Sequence, residues 1–185
     1  GPVISKTQYD KIISLIKSGI SEGATLSAGG PELPNGLNKG YFIKPTIFTD
    51  VTNEMRVAKE EIFGPILPVI SYQNIDEVIE YVNDNPKPLA CYVFTNNNQV
   101  KKKILNEISF GGGAVNDAIM HIANSKLPFG GVGNSGIGSY HGEAGFKSFS
   151  HFKSILEKSN LMELSLKYYP HSKRKLSWIQ RFMGF

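Results

Sequence analysis

The sequence holds a single cysteine, Cys91, among 185 residues, and one thiol cannot form an internal disulfide. Such a chain suits a reducing compartment, and the cytoplasm is the expected location. With one thiol and four scattered histidines, His121, His141, His151 and His171, no compact zinc spacing is present and no metal site is expected. Long apolar runs are missing too. None approaches the about 18 residues needed to cross a bilayer, and the first residues lack the basic, apolar, small-residue order of a secretory signal. There is no internal repeat and no low-complexity segment.

Net charge is a modest +4, and no basic stripe runs through the body, so a nucleic-acid partner is not expected. Positive charge collects instead near the end, where Lys167, Lys173, Arg174, Lys175 and Arg181 alternate with Tyr168, Tyr169, Trp178, Phe182 and Phe185. An anionic membrane or a nucleic acid is one partner for that mixture. The simpler expectation is a tail that lays its aromatics on the body and leaves its cations in water. At 41% hydrophobic and 19% charged, the remainder reads as an ordinary globular chain able to bury a core.

What is abundant is glycine, concentrated in one place. Seven of the sixteen positions from Gly130 to Gly145 are glycine, inside the stretch LPFGGVGNSGIGSYHGEAGFKSFSHF. Such a segment implies positive φ angles or close approach of the backbone to a ligand or to another segment. The letters Gly131-x-Gly133-x-x-Gly136 match a dinucleotide fingerprint, but no strand leads into them and no helical pattern starts before about Gly142. A structural glycine loop is the better reading.

Along the chain, Ser5 and Gln8 have the spacing of a capping box, and Tyr9, Ile12, Ile13 and Ile16 then share a helical face that Gly19 is placed to end. Ala24–Ala28 is a short strand, and Tyr41–Thr49 is a strand that Pro45 pushes towards an edge. Glu54–Glu61 is a short helix. Then Ile66–Tyr72, a helix capped by Asn74 and Glu77, the central strand Leu89–Phe94, a helix over Asn97–Glu107 and a strand at Gly113–Val115 alternate regularly. The fold class that follows is α/β, a parallel sheet with flanking helices. In such sheets ligands gather beyond the carboxyl ends of the strands, where Asn116, Asp117 and the glycine loop fall.

Few residues offer chemistry. Cys91 lies in an apolar strand, where burial raises a thiol pKa, and is read as structural. His141, beside the loop, either lines a pocket as a proton carrier or sits as a hydrogen-bonded structural residue. Glu60 and Glu61 are adjacent and diverge on a helix end, so they are not a paired acid and base. One of them can hold a ribose through its hydroxyls, or both are surface carboxylates.

Taken together, EEIFGP at Glu60–Pro65, PLACYVF ending at Phe94, Val115-Asn116-Asp117 and LPFGGVGNSGIGSYHG from Leu127 resemble the aldehyde dehydrogenase superfamily. From Ile66 onward, with YHG, FSH and a KYYP tail, the chain looks more like the class acting on fatty and aromatic aldehydes. The resemblance implies oxidation of an aldehyde to an acid with NAD or NADP. A cysteine thiolate adds to the carbonyl, the thiohemiacetal gives up hydride, and a glutamate-activated water hydrolyses the thioester. It also implies that Glu61 binds the nicotinamide ribose, that Phe63 packs near the nicotinamide, that Phe129 borders the substrate, and that Asn116 and His141 lie near the pocket.

The family's G-Q-x-C nucleophile and E-L-G-G general-base settings do not occur here. The expectation is therefore the C-terminal part of such an enzyme, without the nucleophile or the dinucleotide-binding domain, and inactive by itself. Its divisions would be a catalytic-domain portion over 1–148, an oligomerisation strand over 149–160 and a basic aromatic tail over 161–185. Phe149–Glu157 would pair a homodimer by adding to a sheet edge. A non-catalytic association module working through that same strand is the alternative.

Overall fold

The computed structural model describes residues 1–37, 39–159, 161, 163 and 165–184, and of Lys167 the backbone only. The chain opens with α1 (Lys6–Ser21), whose N-cap Ser5 accepts a hydrogen bond from the Gln8 backbone N–H. Only that half of the expected capping box forms, because the Gln8 side chain is engaged elsewhere. Gly19 does not end the helix. A Cβ there would stand 3.1–3.3 Å from Phe48 and Val57, so its role is to let α1 lie close on the core. The stop is Gly23, at φ 99° directly after the C-cap Glu22, the position where glycine relieves a left-handed turn.

Two sheets follow instead of one. In the first, β2 (Thr46–Thr49) stands in the middle, antiparallel to β1 (Thr25–Ala28) and parallel to β3 (Ile66–Pro68). Pro45 was expected to force this strand to an edge. It sits one residue before the first paired position, Thr46, so its missing N–H takes nothing from the ladder. β3 is shorter than the expected 66–72 and pairs back to β2, not forward to the next strand. α1 and the short α2 (Arg56–Lys59) cover this sheet, and Ile12, Leu15, Ile16, Phe48 and Val57 form the centre of its core. Phe48 is fully buried, a burial that contributes roughly 1.5–3 kcal/mol.

The second sheet is the parallel pair β4 (Ala90–Val93) and β5 (Gly112–Val115), in register from Ala90 opposite Gly112 to Val93 opposite Val115. Its helices are α3 (Ile75–Asp84), N-capped by Asn74, and α4 (Asn98–Glu107), whose N-cap Asn97 accepts from the N–H groups of Gln99 and Val100. Ile79, Val93, Ile104 and Ile108 make a second, smaller core beneath it. The α/β class and the strand–helix–strand order of this half are as expected. β4, however, is not central: among the described residues it pairs with β5 alone, and its residues line a cavity of about 1550 Å³.

Beyond β5 come α5 (Met120–Ala123), the glycine loop with one 3-10 turn at Gly133–Ser135, and α6 (Gly142–Ser148). The segment 149–157 makes no strand pairing among the described residues, and Phe149, Phe152, Ile155 and Leu156 are 71–94% exposed. After a second 3-10 turn, Ser165–Lys167, the tail ends in α7 (Lys173–Met183). The tail aromatics were expected to lie on the body. They do not: Tyr169, Trp178 and Phe182 are 87%, 57% and 93% exposed.

Candidate functional site

The EEIFG turn is built from below by two side chains of α1. Gln8 Nε2 donates to the carbonyls of Ile62 (2.8 Å) and Phe63 (3.1 Å), and Lys11 Nζ donates to the carbonyl of Glu61 (3.0 Å). All three bonds hold main-chain oxygens, so they fix the turn without using its side chains. Phe63 is consequently held at φ 51° with its ring 77% exposed, and the Glu61 carboxylate lines the large cavity with no ion pair among the described residues. Glu60, its neighbour, is instead paired with Arg56 Nε at 2.8 Å. The two adjacent carboxylates therefore have separate fates, and only Glu61 is left to serve a ligand.

Asn116 sits immediately beyond β5, at φ 56°. Its amide bridges to the end of β4: Oδ1 accepts from the Thr95 N–H (2.8 Å) and Nδ2 donates to the Thr95 carbonyl (3.1 Å). The residue thus locks together the carboxyl ends of the two parallel strands. One amide hydrogen remains for a ligand.

Phe129 and Tyr140 close the glycine loop by exchanging backbone hydrogen bonds, each 2.9 Å, as an antiparallel bridge. Inside that closure the chain is packed too tightly for side chains. A Cβ on Gly131 would come 2.2 Å from the Ser135 carbonyl, which is why the loop needs glycine there. The bridge brings rings together: Phe129 meets Tyr140 edge-on at 5.7 Å and His141 at 6.2 Å, and Tyr140 meets His141 at 4.4 Å. His141 is at φ 87°, and its Nδ1 lies 3.1 Å from the Leu127 carbonyl. A carbonyl only accepts, so Nδ1 carries the hydrogen and Nε2 is left as an acceptor in the neutral ring. His141 is thus a hydrogen-bonded residue, held through Nδ1 to the main chain of the loop.

The cluster contains a member that the sequence did not single out. His121, on α5, packs between Tyr92 (5.6 Å) and Phe129 (5.9 Å), against Gly112 of β5, and both its ring nitrogens are buried without a hydrogen-bond partner. Its spacing from the other histidines carried no metal signal, and only the fold brings it beside Phe129. Gln8 and Lys11 were equally silent, since their partners are carbonyls more than 50 positions away. Phe63 takes part in none of these ring contacts, so the structure groups Phe129 with His141 and His121, and sets Glu61 and Phe63 apart on the α1 side.

Cys91 lines the same cavity as Glu61, half-buried, and burial pushes its thiol up from the ordinary value. A raised thiol is a poorer nucleophile at neutral pH, in keeping with a structural role. Among the described residues no group of three metal-ligating side chains is present.

These arrangements have relatives. The sequence model of the Aldehyde dehydrogenase family matches residues 1–155. Aldehyde dehydrogenase family 3 member A2 of Rattus norvegicus is 44% identical over 188 residues, covering 98% of this chain and 38% of that protein. The dimeric NADP-preferring aldehyde dehydrogenase of Canis lupus familiaris is 40% identical, over 96% of this chain and 37% of its own length. Among solved structures, the substrate-bound state of Staphylococcus aureus AldH superposes with a TM-score of 0.87 at 40% identity, over 99% of this chain and 38% of that one. The Mycobacterium tuberculosis aldehyde dehydrogenase complexed with NAD+ gives 0.78 at 39% identity, over 88% and 33%. This chain spans less than two-fifths of the length of these relatives, of which one is named NADP-preferring and another is complexed with NAD+. It belongs to the aldehyde dehydrogenase family.

Proposed function

We propose that this chain supplies one wall of the cofactor site and one wall of the aldehyde pocket of an NAD(P)-dependent aldehyde dehydrogenase, and that it does not catalyse the oxidation by itself. The carrying observation is the state of the EEIFG turn. Its main chain is fixed by Gln8 and Lys11 while the Glu61 carboxylate and the Phe63 ring are left unengaged. Those two groups fit the cofactor: a free carboxylate accepts from both hydroxyls of a ribose, and an exposed ring offers a face to a flat heterocycle. When bound, the nicotinamide serves as the hydride acceptor.

On the substrate side, Phe129 gives an apolar border, and Asn116 has one amide hydrogen to offer a carbonyl oxygen. His141 Nε2 can hold or release a proton at the loop. The reaction also needs a thiolate, and the lone thiol here is shifted the wrong way by burial. The test is direct. The purified chain given an aldehyde with NAD+ or NADP+ should produce no reduced nicotinamide, and turnover that Cys91→Ser abolishes would overturn the reading.

A second reading is supported by the bare apolar side chains of Phe149, Phe152, Ile155 and Leu156. Four such groups on one unpaired stretch suit strand addition to a second copy, which makes the chain a homodimerising element. The cytoplasm suits a chain with one free thiol.

A further inference from the structure

After β5 the chain turns back over the sheet it has just left. Asn116, at φ 56°, and Ile119, at φ 65°, make the bend, and the Asn116 amide pins its start to Thr95. The return carries His121, on α5, over Gly112, the first residue of β5. The missing side chain of Gly112 leaves room for the ring: a Cβ there would stand 3.3 Å from His121 Cδ2 and 3.5 Å from its Nε2. On its other sides the ring meets Tyr92 of β4 edge-on at 5.6 Å and Phe129 of the glycine loop at 5.9 Å. His121 therefore fills the space between the two parallel strands and Phe129.

The ring is polar and uses none of its polarity. Both nitrogens are buried, and neither has a hydrogen-bond partner. An unpaired buried imidazole costs stability compared with an apolar ring of similar outline. The groups packed on it, from β4, β5 and the glycine loop, all belong to this chain, so further chain can only add to its cover. What His121 supplies is its flat outline. Phe129 is where that outline matters, because its backbone is already fixed to Tyr140 by two hydrogen bonds of 2.9 Å. The freedom left to Phe129 is rotation of its ring about the side-chain bonds, and His121 stands in the way of that rotation.

We propose that His121 is a positioning residue for aldehyde selection: its ring is the spacer that sets where the Phe129 ring stands relative to the parallel strands, and so which aldehydes pack well against it. The inference rests on the reading of Phe129 as a border of the aldehyde pocket. His121 acts through Phe129 and touches neither aldehyde nor coenzyme.

The test compares kcat/KM for a bulky aromatic aldehyde, benzaldehyde, with that for a short aliphatic one, propanal, in the full-length enzyme. His121→Ala opens a gap into which the Phe129 ring can turn. The benzaldehyde-to-propanal ratio should then fall about tenfold, through KM for benzaldehyde, while KM for NAD(P) stays within about twofold. Gly112→Ala crowds the same ring from the strand side and should move the ratio by about threefold or more. It removes no side chain, and so keeps the test open where His121→Ala fails to fold. His121→Phe, which keeps a flat ring and drops both nitrogens, should hold the ratio near that of the parent, and His121→Gln should not. On a Phe129→Leu background, which itself should change the ratio, His121→Ala should have no further effect. A ratio unchanged in both His121→Ala and Gly112→Ala overturns the proposal, even with kcat lowered equally for both aldehydes, the pattern of a residue that only supports the fold. So does rescue by His121→Gln and not by His121→Phe, or a limb of the kcat–pH profile lost in His121→Phe, since either makes the nitrogens the active part. A ratio unmoved by Phe129→Leu overturns the reading of Phe129 as the pocket's border, and the proposal with it. A ratio moved by Phe129→Leu and not by the His121 and Gly112 variants overturns this proposal alone.

Discussion

Among the described residues five other than glycine have positive φ, and three of them, Phe63, Asn116 and His141, are residues that the family resemblance places at the site. Each such backbone costs on the order of 1–3 kcal/mol and persists only where surrounding bonds hold it. Here the bonds are visible: Gln8 on the Phe63 carbonyl, Thr95 on the Asn116 amide, and the Leu127 carbonyl on His141 Nδ1. In the full-length enzyme Glu61→Gln should weaken the ribose contact by the worth of a charge-assisted hydrogen bond, about 1.5–3 kcal/mol. Steady-state kinetics should then show KM for NAD(P) raised about ten- to a hundredfold, with KM for the aldehyde little changed. The other residue-scale prediction concerns Cys91. Its folded pKa is raised by burial, so between the ordinary thiol value and the folded one the native chain keeps a proton that the unfolded chain releases. Stability should therefore fall as pH rises through that window. Iodoacetamide at mildly alkaline pH should label the native chain more slowly than the chain in denaturant, and equal rates would show the thiol to be unshifted.

At the scale of elements, the glycine loop acts as a clasp. The Phe129–Tyr140 bridge closes it, Gly131 admits Ser135 into its interior, and the ring cluster of Phe129, Tyr140, His141 and His121 packs on the outside. Gly131→Ala forces a Cβ against backbone that cannot rotate away, so it should destabilise by roughly 1–3 kcal/mol, read as a fall of several degrees in Tm. The loop and the second sheet were legible in the sequence because their signals are local: a density of glycine, Asn caps, and apolar runs at strand length. The first sheet was misjudged where the signal is not local. Gly19 looked like a helix stop because glycine usually is one, and only the nearness of Phe48 shows why it stays inside α1. Ile66–Pro68 could not announce whether it would pair backwards to β2 or forwards to β4, since parallel partners carry no turn between them. Of the candidate site, Glu61, Phe63, Asn116, Phe129 and His141 could be proposed through the family motifs. His121 could not, because its neighbours Tyr92 and Phe129 come from elements that meet only in the fold.

On the scale of the whole molecule, the described residues bury two modest cores, give β4 one partner, and line a cavity of about 1550 Å³ with side chains from both halves. The chain spans less than two-fifths of its relatives' length. On the proposed reading of the exposed stretch 149–157 as an association surface, sedimentation should find a dimer that Phe152→Asp converts to monomer.

One assay bears most directly on what this chain can do alone. The folded chain is incubated with an aldehyde and either nicotinamide coenzyme, beside a full-length relative under the same conditions, and reduced coenzyme is followed by absorbance. The relative should turn over and this chain should give no signal above the aldehyde-free blank. A steady rate from the chain alone, lost in Cys91→Ser, would contradict the assignment of Cys91 as structural and of the chain as one wall of a larger site.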